Sequence, residues 1–315
     1  MNRALIFPGQ GSQAVGMGKA LADAFVEARE VFQETDEALG QNLSRLMFEG
    51  PADDLKLTEN AQPALMAVSM AVIRALDKQG NFRLPQAAQF VAGHSLGEYS
   101  ALCAAGSFTL ADAARLLKKR GVAMQAAVPV GVGAMAALIG LDLPVAREIA
   151  SEAAQGEVCA AANDNAPGQV VVSGHAAAVD RAIAIAAQRG FKRSVKLPVS
   201  APFHCSLMQP AADVMREALI AVTIKPPSVP VIANVTAESV SMPEKIRALL
   251  VQQVTGAVRW RESVLYMKTQ GIGQLVECGA GSVLAGLARR IDKELAAISL
   301  GTPTDIEEFL ESLNA

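Results

Sequence analysis

A short apolar run, "AQFVAG", delivers the chain into Gly93-His94-Ser95-Leu96-Gly97 and straight on into the helix-forming "EYSALCAAG". A strand that passes through one sharp turn into a helix has to bury that helix against its own sheet, which commits this part of the chain to a layered α/β architecture. Gly93 and Gly97 remove side chains where the turn presses strand and helix together, and this leaves the Ser95 hydroxyl exposed at the helix N-terminus. There the positive end of the helix and its free N–H groups favour an oxyanion, as a nucleophilic serine requires. The same five residues also fit a plainer reading: an N-cap serine between glycines that merely suit a turn.

The remainder keeps the α/β rhythm. "ALIF" reads as a strand ending at Pro8, followed by the Gly-rich "GQGSQAVGMG" and one helix over residues 19–39. Residues 58–79, mostly apolar with few charges, predict a helix covered on most sides. "TLADAARLLKKRGVAMQAA" predicts a long amphipathic helix starting near Thr109. Over residues 128–200 the order changes. "GAMAALIG" reads as a strand, "DLPVAREIASEAAQ" as a helix, "EVCAAAN" and "QVVVSG" as strands joined by the turn-rich "DNAPG", "AAAVDRAIAIAAQRG" as a helix and "FKRSVKL" as a strand. That βαββαβ order predicts a ferredoxin-like subdomain at 128–200, inserted in a larger α/β domain made of 1–127 and 201–315. The larger domain resumes with a helix over 205–221, a strand "PVIAN", a helix rich in Leu and Val, and a closing strand-turn-helix, "GQLVECGAGSVLAGLARRI".

With 51% hydrophobic residues and a net charge of −3, the chain can fill a substantial core and lacks the basic balance of a nucleic-acid binder. "MNRALIFPG" reaches a Pro-Gly turn too soon for a secretory apolar core, and charges or glycines interrupt later apolar runs before membrane-spanning length. The expectation is a cytoplasmic monomer with no membrane or nucleic-acid partner. Cys103, Cys159, Cys205 and Cys278 lie far apart with no C-x-x-C pair, which predicts reduced, buried thiols rather than a disulfide or zinc framework.

A serine at its ordinary pKa needs a base, and the chain has three histidines. His94 shares the elbow with Ser95, so the two side chains should diverge. Paired with Glu98 it lacks a third ligand, and no metal is expected. His175 opens a helix of the insertion, where a surface or capping role suffices. His204, in "PVSAPFHCSLM", sits where the chain re-enters the larger domain, flanked by Phe203 and Pro202, and elimination makes it the candidate base. On the helix from Thr109, positions 113, 116, 117, 120 and 124 share a face and read Ala, Leu, Leu, Arg, Met. Arg120 breaks that stripe, and a buried guanidinium needs an anion. The anion is either an internal carboxylate or a substrate carboxylate held in a bidentate fork.

In chain order, "FPGQGSQ" (7–13), "GHSLGEYSA" (93–101), the Arg120 helix, "APFH" ending at His204 and "ECGAGSVL" resemble the malonyl-CoA:acyl carrier protein transacylases, over essentially the whole chain. The resemblance implies an α/β-hydrolase-like core with the small subdomain beside it and the active site in the cleft between them. It implies Ser95 as the acylated nucleophile and His204 as its base, a dyad whose imidazole is oriented by the backbone carbonyl of Gln253. Gln10 and Leu96 would supply the oxyanion-hole N–H groups, and Arg120 would clamp the malonyl carboxylate. Met124, His94, Phe203 and Gln253 complete the implied substrate-binding set, with Asn163 or Asn165 as a candidate lining from the small subdomain. Phe203 would crowd an α-methyl branch.

The implied activity is ping-pong transfer from malonyl-CoA, through a malonyl-Ser95 ester, to the phosphopantetheine thiol of acyl carrier protein, as in fatty acid synthesis. Coenzyme A enters as substrate thioester, and no further cofactor is expected. Because acyl carrier proteins are acidic, Lys118, Lys119, Arg189, Lys192, Arg193 and Lys196 become candidates for a basic docking face. Ala280 departs from the family's "G-P-G" turn. Three rival readings remain: a serine hydrolase on the same elbow, an acyltransferase of broader or polyketide-type specificity, and a nucleotide-binding module. No Asp lies in an obvious triad frame, which weighs against the first. The glycines of "PGQGSQAVG" do not follow G-x-G-x-x-G, which weighs against the last.

Overall fold

The computed structural model describes residues 2–80, 82–199 and 201–314. Met1, Ser200 and Ala315, which mark ends of the two expected domains, lie outside the described residues. Ten strands occur among those described: β1 (Arg3–Phe7), β2 (Phe90–Gly93), β3 (Gly133–Ile139), β4 (Cys159–Ala166), β5 (Gln169–His175), β6 (Val195–Lys196), β7 (Val231–Ile232), β8 (Ser239–Val240), β9 (Gln274–Cys278) and β10 (Ala296–Leu300). They form two sheets, ordered β10-β9-β1-β2-β7-β8 and β4-β5-β3-β6.

The larger sheet is parallel apart from β8, which turns back against β7. β1 lies inside it, and Ala4, Leu5, Ile6 and Phe7 are all fully buried. A strand covered on both faces reads as an unbroken apolar run rather than as an alternation, which is why "ALIF" carries no polar residue. Leu5 and Phe7 join the core built by helices Thr58–Gly80 and Leu110–Ala126, while Ala4 and Ile6 join the one built by Trp260–Thr269 and Val283–Ile291. Phe7 pairs with Gly93. The loop after β1 and the elbow after β2 therefore leave the sheet side by side, at its C-terminal edge.

The smaller sheet is antiparallel throughout. Helices Leu143–Ala154 and Ala176–Gln188 pack on one of its faces around Leu138, Ile149, Val170, Val172 and Val179. Its other face, with Met135, Ala137, Ala162 and Val171, joins the larger core. The expected strand-helix-strand-strand-helix-strand order is present.

Several boundaries differ from the sequence expectation. Residues 19–39 form two helices, Lys19–Ala24 and Val26–Leu39, separated at Phe25, whose backbone is extended and whose ring is buried. β4 runs on through Asp164 and Asn165 to Ala166, so the turn expected over "DNAPG" shrinks to Pro167 and Gly168. The strand expected over 191–197 is two residues long. Pro210 sits in the first turn of helix Gln209–Ile220, behind a short 3₁₀ segment, Ser206–Met208, so the helix starts after Cys205. Two helices, Pro243–Thr255 and Trp260–Thr269, stand where one was expected, and β10 with helix Pro303–Asn314 follows the expected last element. No helix among the described residues is long and apolar enough to cross a membrane. Cys205 and Cys278 are buried and free, whereas Cys103 and Cys159 are only part-buried.

Candidate active site

Ser95 has a φ of 54°, in the left-handed region that side chains rarely adopt. Asn234 holds it there. The Ser95 N–H donates to Asn234 Oδ1 at 2.7 Å, and Asn234 Nδ2 donates to the Gly93 carbonyl at 2.7 Å. A Cβ on Gly93 would lie 1.9 Å from the Gly97 carbonyl oxygen, and one on Gly97 would lie 2.2 Å from the Phe7 oxygen. Neither position has room for a side chain. Helix Gly97–Ala104 begins directly after this turn, so the serine hydroxyl stands at its N-terminal end.

His204 also has a positive φ, 60°, and its Nε2 lies 2.8 Å from Ser95 Oγ. Its Nδ1 lies 2.9 Å from the Gln253 carbonyl and 3.1 Å from the Gly256 carbonyl. Both are acceptors, so Nδ1 carries the proton and Nε2 accepts the serine hydroxyl. Burial, and after it the charge of Arg120, push the imidazole pKa down to about 3. The ring is therefore neutral and available as a base.

Arg120 is 1% exposed. Its Nη1 donates to Gln62 Oε1 at 2.7 Å, and its Nη2 donates to Gln253 Oε1 at 2.9 Å and to Ser95 Oγ at 3.2 Å. The guanidinium lies over the Tyr99 ring, 5.7 Å from its centre. All three hydrogen-bond acceptors are neutral, and Nε has no hydrogen-bond partner among the described residues. The buried acid closest along the chain, Glu98, accepts instead from Asn234 N–H at 3.0 Å and Gln253 Nε2 at 2.8 Å. Burial raises its pKa to about 7. Among the described residues no carboxylate hydrogen-bonds this cation, which lies 3.2 Å from Ser95 Oγ, and such an arrangement has the chemistry to accept an anion.

Helix packing sets that position. A Cβ on Gly121 would lie 2.4 Å from Glu59 Cα and 2.7 Å from the Thr58 oxygen, so the Arg120 helix touches the start of helix Thr58–Gly80 backbone to backbone. Gln62 then meets Arg120. Its own Nε2 donates to Thr58 Oγ1 at 2.9 Å, which donates to Gln10 Oε1 at 2.9 Å. The loop after β1 is thereby tied to the same network.

A cleft of about 510 Å³ opens between the two sheets' layers over Ser95, His204 and Arg120. Gln10, Leu96, Met124, His94 and Phe203 line it, as do Asn163 and Asn165 from β4. The Gln10 and Leu96 N–H groups make no hydrogen bond among the described residues. Gln253 is different: fully buried, it does not line the cleft but stands behind it, its main chain on His204 and its side chain on Arg120. His94 turns away from Ser95, its Nε2 lying 2.8 Å from Asn165 Oδ1. Glu98 turns elsewhere, and no group of three or more potential metal ligands occurs among the described residues. His175 Nδ1 accepts the Val158 N–H at 2.9 Å, so its side chain does not cap the helix it opens.

Three contributors were not anticipated. Gln62 is a polar residue inside an apolar helix, Asn234 ends the strand "PVIAN", and Glu98 follows the serine by three positions. Only a polar residue at a position expected to be buried marked any of them. Of the basic residues considered for docking, Arg189 pairs with Glu148 and Glu152, Lys196 with Asp180 and Lys118 with Glu59. Lys119, Lys192 and Arg193 are exposed.

The profile of the acyl transferase domain matches residues 4–299. The malonyl CoA-acyl carrier protein transacylase of Escherichia coli strain K12 is 46% identical over 308 residues, 98% of each chain. A crystal structure of an acyl-carrier-protein S-malonyltransferase from Bartonella henselae is 57% identical, with a TM-score of 0.98 over 100% of both chains. A malonyl-transacylase solved in complex with a type II PKS acyl-carrier protein is 42% identical, with a TM-score of 0.95 over 99% of this chain and 100% of that one.

Proposed function

From its place among the malonyl CoA-acyl carrier protein transacylases of the acyl transferase domain family, to which this chain belongs, we propose that Ser95 carries a malonyl group from malonyl-CoA to acyl carrier protein. The observation that carries this reading is the Ser95 hydroxyl shared by two unlike groups, a neutral imidazole at 2.8 Å and a buried guanidinium at 3.2 Å. The first serves acyl transfer in general. The second selects an acyl group that bears its own carboxylate.

His204 Nε2 takes the serine proton as Oγ attacks the thioester carbon. The imidazolium so formed is stabilised through Nδ1 by the Gln253 and Gly256 carbonyls, in the place where a triad would use a carboxylate. The Gln10 and Leu96 N–H groups receive the oxyanion. Collapse breaks the carbon–sulfur bond, and His204 returns its proton to the departing coenzyme A thiolate. In the second half His204 takes the proton of the phosphopantetheine thiol, whose sulfur attacks the malonyl-Ser95 carbonyl, and then reprotonates Ser95. Arg120 holds the free carboxylate through both halves and so fixes the carbonyl against the dyad. Met124 and Phe203 wall the acyl pocket, and Phe203 crowds an α-methyl branch.

The larger unit, residues 1–127 and 201–315, is read as an α/β-hydrolase-like domain. Residues 128–200 are read as a ferredoxin-like subdomain, a reading supported by the β4-β5-β3-β6 order. The enzyme acts as a cytoplasmic monomer with no cofactor beyond its coenzyme A thioester substrate, and the exposed Lys119, Lys192 and Arg193 contribute to the carrier-docking face. Intact-mass measurement after mixing with malonyl-CoA, acetyl-CoA or methylmalonyl-CoA tests the function. A malonyl adduct that maps to Ser95 and weakens in Arg120→Ala is expected; equal labelling by all three donors would refute the clamp.

A further inference from the structure

Resting on the reading of Arg120 as the malonyl clamp, we propose that Glu98 is a positioning residue for Arg120, acting through the side chain of Gln253. The Gln253 amide lies between two kinds of neighbour. On one side are acceptors, Glu98 Oε2 at 2.8 Å and the Ser95 carbonyl at 3.0 Å. On the other is Arg120, a donor only, with Nη2 2.9 Å from Gln253 Oε1. The two ends of an amide have nearly the same shape, so its direction is set by what surrounds it. An acceptor at position 98 requires the NH₂ on that side and so presents the oxygen to the guanidinium. Gln253 is fully buried, and without that acceptor the N–H it holds at 2.8 Å is left with only Asn234 Oδ1, at the long distance of 3.5 Å, where solvent cannot replace the lost bond. Turning the amide would then set donor against donor at Arg120.

The same Glu98 oxygen accepts the Asn234 N–H at 3.0 Å. The nucleophile's own support is more direct, since Asn234 reaches Ser95 and Gly93 through its side chain. His204 is held by the main-chain carbonyl of Gln253, which a rotation of that side chain does not displace. Loss of Glu98 should therefore loosen the clamp and spare the dyad. A side chain that only filled space would not separate the two.

The test measures malonyl transfer kinetics and, separately, the rate of Ser95 inactivation by the small uncharged reagent phenylmethylsulfonyl fluoride. Wild type, Glu98→Leu, Glu98→Gln, Gln253→Met and the double variant Glu98→Leu with Gln253→Met are compared. Glu98→Leu and Gln253→Met should each raise the KM for malonyl-CoA about tenfold, the loss of one buried hydrogen bond to a charged group, with inactivation little changed. The double variant should be no worse than either single one, and Glu98→Gln, which can keep an oxygen facing Gln253, should recover most of the loss. Additive single effects, a parallel loss of inactivation, or an unchanged KM would overturn the proposal. If Glu98→Leu does not fold, an unchanged KM in Gln253→Met is sufficient to overturn it. Arg120→Ala, measured alongside, separates the two readings: an unchanged malonyl KM there removes the clamp itself, whereas a raised one with an unaltered Gln253→Met removes only the role of Glu98.

Discussion

Two buried titratable groups next to the nucleophile are displaced from their ordinary pKa values in opposite senses, and the signs make the site's electrostatics measurable. His204 is depressed from 6.5 to about 3, chiefly by burial and then by Arg120. A base whose folded pKa lies below its unfolded value contributes stability above pH 6.5, and that stability is lost as pH falls toward 3. Glu98 runs the other way. Burial raises it from 4.5 to about 7, so its contribution is present below pH 4.5 and is lost as pH rises through 7. Glu98→Gln should accordingly gain stability relative to wild type between about pH 5 and about pH 8, by an amount on the order of a few kcal/mol. Urea midpoints of the two proteins at both pH values check this; a relative gain toward acid would mean that the folded state favours the carboxylate. His204→Ala should slow acylation roughly 10²–10⁴-fold, measured in single turnover, and a loss well under tenfold would remove the base from the mechanism. Ser95, His204 and Arg120 were legible in the sequence because each interrupts a pattern: a serine between two glycines, a histidine beside Phe203 and Pro202, a cation in an apolar stripe. Gln62 interrupts an apolar helix and Asn234 ends an apolar strand, but neither pattern says what the polar group meets. Their importance arises only when the fold brings them 58 and 139 positions along the chain to Arg120 and Ser95.

At the level of single elements, close helix approach is what positions Arg120. Gly121 lets the backbones of helices Leu110–Ala126 and Thr58–Gly80 meet, and a methyl group there would lie 2.4 Å from Glu59 Cα. Gly121→Ala should destabilise the protein by about 1–3 kcal/mol and raise the malonyl KM by separating Arg120 from Gln62. Val122→Ala, one exposed position further on, should change neither. Thermal melts and steady-state kinetics on the pair decide the point, and equal behaviour of the two variants would contradict it. Periodicity located helix Leu110–Ala126 because it buries one continuous face, and a near-unbroken apolar run located Thr58–Gly80, which is covered on most sides. Such patterning failed where tertiary partners overrode local preference. Asp164 and Asn165 favour turns, yet they lie in β4 because Arg261 takes the carboxylate of Asp164 and His94 takes the amide of Asn165. Phe25 divides a helix-like run because its ring is buried where its backbone is extended. β10, with its small side chains behind a charged run, is specified by its parallel register on β9 rather than by any pattern of its own.

For the molecule as a whole, the cleft exists because β4 is fastened to the larger layer along one seam. Asn163 bridges to Val258, the Val258 N–H donates to the Ala162 carbonyl at 2.8 Å, and the Asp164 N–H donates to the Val258 carbonyl at 3.0 Å. Arg261 Nε reaches Asp164 Oδ2 at 3.0 Å, and Asp164 is 3% exposed. Arg261→Ala leaves that carboxylate buried without its cation and should cost about 2 kcal/mol, read from a urea midpoint. A variant as stable as wild type would show that the seam does not depend on the pair. The order of elements in the insertion was readable from residues 128–200, since each piece has its own period. The seam was not, because residues 162–164 meet Val258 across almost a hundred intervening positions and neither stretch records its partner. Ser95, Arg120 and His204 meet within the larger layer through hydrogen bonds of their own, and that closure sets Asn163 and Asn165 beside them to complete the cleft. The most direct measurement is a crystal structure of the protein trapped after reaction with malonyl-CoA. Density continuous with Ser95 Oγ and ending in a carboxylate paired with the Arg120 guanidinium is predicted; an acyl group on another residue, or a carboxylate directed away from Arg120, would contradict the account.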